Sequence, residues 1–205
     1  MSEVSIYLSG SVRKGKSDGR ETFWTNGDQA LIRDHLNPTH VNILNPSSRS
    51  DDLADFLGTF GRDLFQVVAS DVVLVDARDR RGLGVGSEMT IAKLLEIPVV
   101  SICPEESHYR RSNFVFLGQP LDTWVHPFIF GLSDVVVNDV SAACAWMLSE
   151  RPWEGDSKAT PERAPYFASA AIRHYLSAQL ERDAEMLSIV QASAALRSRR
   201  NTWRA

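Results

Sequence analysis

The segment Arg81-Gly82-Leu83-Gly84-Val85-Gly86-Ser87-Glu88 sets three alternating glycines before a glutamate, just after an apolar run, Val72-Val73-Leu74-Val75, that ends in Asp76. A short β-branched run bounded by turn signals reads as a buried parallel strand. Ligands of open α/β sheets sit at the carboxyl ends of such strands. Glycines let backbone approach a ligand closely, and Met89 to Glu96 has the composition of a helix. Glu88 is therefore expected at or just inside a helix N-terminus. There it either faces whatever the loop holds or complements the helix dipole.

Asp63 is the second candidate. It lies beside an apolar stripe of Leu53, Phe56, Leu57, Phe60, Leu64, Phe65 and Val68, on the C-terminal half of an expected helix. A carboxylate there opposes the dipole, so it either has a chemical role or joins a surface ion pair with Arg62. A third place is Ser9-Gly10-Ser11-Val12-Arg13-Lys14-Gly15-Lys16-Ser17. Small residues, exposed amides and cations make either a phosphate cradle or a basic surface loop. Gly10-Ser11-Val12-Arg13-Lys14-Gly15-Lys16-Ser17 also has the residue spacing of a Walker loop, G-x-x-x-x-G-K-S. His126, among Trp124, Phe128 and Phe130, either touches a ligand or packs as a structural residue. That aromatic group suits a base pocket or a dimer surface equally.

Alternating strands and helices must position these groups. Strands are expected at Val4–Leu8, Val41–Leu44, Ser70–Asp76, Ile97–Cys103 and Ser133–Asn138. Helices are expected at Glu21–Leu36, from Ser50 or Asp51 to about Ala69, from Glu88 to Glu96, and from Asp139 through Leu148. Pro104 to Thr123 reads as irregular. Composition shifts at Glu150. Residues 151–165, with prolines and Gly155, read as a linker, and residues 166–205 as a helical extension of one or two amphipathic helices ending in a basic cluster. This predicts an α/β domain over residues 1–150 with a parallel five-stranded sheet.

Composition narrows the function classes. The chain has 205 residues, 43% hydrophobic and 23% charged, with a net charge of −4, so no basic surface points to nucleic acid as a partner. No apolar run approaches membrane-spanning length. Two cysteines, Cys103 and Cys144, stand in apolar contexts and read as buried thiols in a reducing compartment. The expected setting is the cytoplasm, with no metal and no cofactor.

Tyr7-Leu8-Ser9-Gly10-Ser11-Val12-Arg13, the segment around Asp63, Ser70-Asp71-Val72-Val73 and Gly82-Leu83-Gly84-Val85-Gly86-Ser87-Glu88 together resemble the nucleoside 2-deoxyribosyltransferase superfamily. The nearest branch is the 2′-deoxynucleoside 5′-phosphate N-hydrolases, and the likeness covers roughly residues 4–148. The resemblance implies a flavodoxin-like (Rossmann-like) sheet and a homodimer or higher oligomer. It implies Glu88 as nucleophile, Asp63 near the leaving base, and Tyr7 near nucleophile and sugar. Gly10, Ser11, Val12 and Arg13 would hold the 5′-phosphate, and Gly82, Gly84 and Gly86 the substrate beside Glu88. Gly82 departs from the pattern, since transferases carry an aspartate there and the phosphate hydrolases a serine. Met89-Thr90 also replaces the usual Leu-Gly or Ile-Gly.

The implied reaction cleaves the N-glycosidic bond of a (2′-deoxy)nucleoside 5′-monophosphate. Positive charge grows on C1′ and the ring oxygen, where a carboxylate stabilises it or traps C1′. The alternatives are a transferase exchanging bases and an inactive nucleotide-binding sensor.

Overall fold

A computed structural model describes residues 2–12, 23–155 and 159–204. Five parallel strands form the central sheet in the order β2-β1-β3-β4-β7: β1 Glu3–Ser9, β2 His40–Leu44, β3 Val72–Asp76, β4 Val99–Ile102 and β7 Val135–Val137. This order, with helices on both faces, is that of a flavodoxin-like fold. Tyr7 pairs in register with Leu44 on one side and Val73 on the other, which puts β1 at the centre of the site-bearing edge.

Side chains alternate across a strand, and β1 uses that period sharply. Val4, Ile6 and Leu8 enter one apolar layer with Ile32 and Leu36 of α1 (Asn26–Leu36) and Cys144 and Met147 of α5 (Val140–Glu150). Tyr7, with Val73 and Val75 of β3, enters the opposite layer. There it meets α2 (Phe56–Val68) and α3 (Leu83–Leu94). The polar residues of β1, Ser5 and Ser9, share the face of Tyr7 by parity and are buried.

Four boundaries correct the sequence reading. The helix α1 starts at Asn26 rather than Glu21, because Thr25 and Asp28 close a reciprocal capping box. The helix α2 starts at Phe56, capped by Asp55 through Gly58 N, so Leu53 lies outside it. Its apolar stripe also splits: Leu64, Phe65 and Val68 are buried, whereas Phe56 and Leu57 stay exposed. The glycine segment is no loop, since α3 begins at Leu83 with Gly82 as its cap and carries Glu88 in its second turn. Finally, Pro104 to Thr123 is not irregular. It holds a hairpin of β5 (Arg110–Phe116) and β6 (Gln119–Val125). Its two-residue turn has φ +48° at Leu117 and +82° at Gly118, a geometry that favours glycine.

A short helix α4 (Pro127–Gly131) follows the hairpin. Beyond residue 150, the chain forms α6 (Tyr166–Ala178), α7 (Ala184–Ala192) and α8 (Ala194–Arg204), one more helix than the spacing suggests. These helices are not a loose tail. Leu176, Leu180, Met186, Val190 and Leu196 belong to the same buried layer as Tyr7 and Phe65. Each such burial is worth about 1.5–3 kcal/mol. Backbone contact between α2 and α6 is close: a Cβ on Gly61 would stand 1.9 Å from the carbonyl oxygen of Ala171. Among the described residues no helix is long and apolar enough to cross a membrane.

Candidate active site

Glu88 reaches from the second turn of α3 toward the carboxyl end of β1, where Ser9 Oγ donates to its Oε2 at 2.5 Å. Its side chain is buried, and loss of hydration pushes its pKa from an ordinary 4.5 up to about 7. The Ser9 hydrogen bond works against that rise, and the charge of nearby Asp63 adds to it. A Cβ on Gly84 would lie 3.6 Å from Glu88 Oε1, so this glycine flanks the carboxylate.

Tyr7 stands two residues before Ser9 on the same strand face and is wholly buried. Its hydroxyl closes no hydrogen bond of normal geometry. It is nonetheless close enough to both carboxylates that, after burial itself, Glu88 and Asp63 hold its pKa well above the usual tyrosine value. A buried hydroxyl without a partner costs stability, and here it is directed at the carboxylate pair. Ser9, which the sequence places only in the candidate phosphate cradle, is the residue that holds the Glu88 carboxylate. Its one legible signal was strand parity with Tyr7.

Asp63, on α2, keeps 28% of its side-chain surface open although protein atoms surround it closely. Desolvation raises its pKa from 3.8 to about 6, against the pull of Arg49 and Arg62. Arg49 Nη1 donates to Asp63 Oδ1 at 3.3 Å while its other nitrogens engage Asp51 at 2.6 and 2.8 Å. Arg62 Nη1 stands 3.8 Å from Asp63 Oδ1. The expected ion pair with Arg62 thus exists, but as the longer of two partial contacts. Glu88, Asp63 and Tyr7 do converge. Two carboxyl groups, one buried and one half-buried, with pKa values raised toward neutrality can exchange protons with a substrate near pH 7.

The other expected residues lie around this centre. Gly10 follows β1 directly, and Trp24 closes over it: a Cβ there would stand 3.0 Å from the indole nitrogen, which donates to Ser9 O at 3.0 Å. Ser11 Oγ accepts from Arg81 Nη1 at 3.1 Å. Val12 is half-buried. Arg13 lies outside the described residues, so the cationic part of the loop contributes no geometry. Arg81, buried at the mouth of α3, pairs with Asp76 at 2.8 Å. Gly82 and Gly86 have open space where a Cβ would stand.

His126 stands apart. It caps α4, with Nδ1 accepting from Phe128 N at 3.3 Å, and its ring lies 5.4 Å from Tyr109 and 5.8 Å from Trp124. It shares no hydrogen bond or ring contact with Tyr7, Asp63 or Glu88. Its link to the site is indirect, through Tyr109, whose hydroxyl accepts from Arg81 N at 2.9 Å.

A cleft of about 700 Å³ opens between the outer faces of α2 and α3, walled by Phe60, Leu83, Ser87, Thr90, Phe128 and Phe167 among others. Neither carboxylate is part of its wall. No grouping of three or more His, Cys, Asp and Glu side chains suited to a metal ion occurs among the described residues. No protein-family model matches the sequence, and no curated protein is similar to it.

Proposed function

We propose that this protein is an N-glycosidase that hydrolyses (2′-deoxy)nucleoside 5′-monophosphates to free base and sugar 5-phosphate. The observation that carries the reading is a buried Glu88 and a half-buried Asp63, both raised toward neutrality and both acting on Tyr7 at the carboxyl end of the strands. The sequence resemblance to the phosphate N-hydrolases supports the same assignment of roles.

In this mechanism the reactive form has Glu88 ionised and the proton on Asp63, the reverse of the order in which the free site holds it, and a Glu88 carboxylate oxygen bonds to C1′ as the C1′–N bond breaks. The bonding pair leaves with the base, which takes a proton from Asp63. Water then attacks C1′, gives its proton to Asp63, and releases Glu88 as carboxylate. Burial strengthens the attraction between the Glu88 carboxylate and the cationic sugar, because little water screens it. The amides after Ser9 and the cations of the following loop anchor the phosphate and so orient C1′.

The reading carries with it a cytoplasmic location and association of at least two copies. Phe60, Leu83, Phe128 and Phe167 are exposed and line the cleft, an apolar surface of the kind that marks an interface. The decisive experiment incubates the purified protein with a panel of nucleotides and nucleosides and follows free base by chromatography. Base release from a monophosphate without an acceptor base is the expected result. Release only with an acceptor identifies a transferase, and tight binding without release identifies a sensor. Light scattering on the same sample reads the oligomeric state, and a monomer overturns the association.

A further inference from the structure

Arg62 is a fully buried cation on α2, one residue before Asp63, and its closest ionic partner is not Asp63. Its Nε donates to Asp183 Oδ2 on the turn that enters α7, 121 positions later. Tyr175 of α6 donates its hydroxyl to that same oxygen at 2.9 Å. The guanidinium is held further by Ser48 O at 2.6 Å and Gln66 Oε1 at 3.2 Å, and Asp51 lies 3.7 Å away. Asp63 is left at 3.8 Å. Asp183 is itself fully buried, and its second oxygen caps α7 through Met186 N at 3.3 Å.

We propose that the C-terminal helices preserve Asp63 as a proton donor: Asp183 draws the Arg62 guanidinium away, so Asp63 never acquires a full ion pair. The proposal rests on the reading of Asp63 as the group that protonates the leaving base. It makes Asp183 a positioning residue, acting through Arg62, and gives the C-terminal extension a part in the chemistry. The physical argument is competition for one cation. An arginine in direct contact with an aspartate favours its ionised form and lowers its pKa by about 1–3 units. A carboxylic acid must stay protonated near neutral pH to donate. The other groups facing Asp63 are Arg49 and Asp51 from the loop after β2, with Tyr7 and Glu88 close by from β1 and α3, and the charge of Asp183 itself also favours the protonated form. Arg49 already divides itself between Asp51 and Asp63. Arg62 is the cation that the C-terminal helices hold, and Asp183 is its closest anchor.

The test reads Asp63 directly and needs no substrate. In uniformly carbon-13-labelled full-length protein, the Asp63 carboxyl resonance is identified by its loss in Asp63→Asn, and its titration midpoint is followed with pH. Asp183→Asn should lower that midpoint by about one unit or more as the freed Arg62 turns to Asp63, and by clearly more than it does in an Arg62→Gln background, where only the charge of Asp183 itself is lost; equal drops in the two backgrounds overturn the proposal. An unchanged or raised midpoint in a folded Asp183→Asn protein overturns the proposal. Because a buried Arg62 left without Asp183 strains folding, the double variant Arg62→Gln, Asp183→Asn is measured as well. If Arg62 acts only weakly on Asp63 in the parent, removing both charges leaves the midpoint within about half a unit. A larger rise shows that Arg62 was already fully engaged with Asp63, and the proposal fails. Neither readout depends on turnover. A lowered midpoint in a protein that releases no base from any nucleotide would sink the proposed activity and leave the competition for Arg62 standing.

Discussion

Ser9 Oγ donates to Glu88 Oε2 at 2.5 Å, joining the last residue of β1 to the second turn of α3. The bond favours the ionised carboxylate, because an O–H donor has more to offer a charge than a neutral acid. It also selects one rotamer of a side chain that otherwise has several. Tyr7, which the resemblance places near the nucleophile, favours the same ionised carboxylate more weakly, its hydroxyl closing no hydrogen bond of normal geometry.

Removing that donor has a signed consequence. Ser9→Ala leaves a methyl group on a buried strand position and deprives Glu88 of its stabilising partner. The Glu88 midpoint, already near 7, should rise further. The acidic limb of the kcat/KM profile should then move to higher pH by about half to one unit, with kcat falling about 10-fold. Tyr7→Phe, which removes only the weaker contact of the Tyr7 hydroxyl with Glu88, should move the limb less. Equal shifts in the two variants would contradict the assignment of Ser9.

Glu88 itself should show opposed effects on activity and stability. Its folded pKa of about 7 exceeds the unfolded 4.5, so the native state holds the proton more tightly. Stability from this group is complete below about pH 4.5 and is lost as pH rises through 7. The difference of pKa values corresponds to about 3 kcal/mol by pH 8. Glu88→Gln cannot ionise, so its melting temperature should gain on the parent steadily between pH 5 and pH 8. The same variant should lose turnover by about three orders of magnitude while still binding nucleotide. Parallel melting curves across that range, or near-normal turnover, would reduce Glu88 to a helix-side charge.

The sheet was legible because its strands are short β-branched runs ending in turn signals, and Val72 to Asp76 is the clearest of them. The carboxylate pair was legible through the resemblance, since nothing in local spacing brings Asp63 on one helix to Glu88 on another. Three features escaped. Gly82, Gly84 and Gly86 looked like a loop, yet each tolerates helical geometry and only Gly82 stands outside the helix. The hairpin escaped because charged and aromatic residues obscure its alternation, leaving Gly118 as its sole turn signal. Asp183 carries no periodic or motif signal for a partner 121 positions away. Long-range ion pairs of this kind are set by how the terminal helices dock, which no local window contains.

Docking of those helices is open to a backbone test. Gly61 of α2 lies so close to Ala171 of α6 that an added Cβ meets its carbonyl oxygen at 1.9 Å and the side chain of Tyr175 at 3.1 Å. Gly61→Ala must push α6 away, at a cost of about 1–3 kcal/mol or more. It should lower the melting temperature and loosen the layer that Phe65 and Tyr175 share. Deleting residues 151–205 goes further and bares Phe65, Val67 and Val68, so the shortened chain should aggregate rather than fold. A soluble truncated chain melting cooperatively at the parent temperature would show that the extension is dispensable to the core.

The phosphate preference depends on Gly82. This residue is the N-cap of α3 with φ −80°, makes no side-chain cap, and has open space where a Cβ would stand. An aspartate fits there without strain and can accept from a free amide of the first turn, worth about 1 kcal/mol of stability. It also places a negative charge at the mouth that Arg81 and Ser11 share. In the parent, Arg81 is already paired with Asp76, so attraction for a dianionic phosphate falls to the backbone amides after Ser9 and to Arg13 and Lys14. We expect kcat/KM for a 5′-monophosphate to exceed that for its nucleoside by at least ~10-fold, or about 1.4 kcal/mol. Arg13→Ala should shrink that ratio. Gly82→Asp should shrink or invert it while raising the melting temperature, a combination that general damage to the site cannot produce. Two charges ~4 Å apart at an effective dielectric near 20 interact by about 4 kcal/mol, so even a screened fraction suffices. Equal kcat/KM on nucleotide and nucleoside in the parent would remove the phosphate from the reading and favour base exchange between nucleosides.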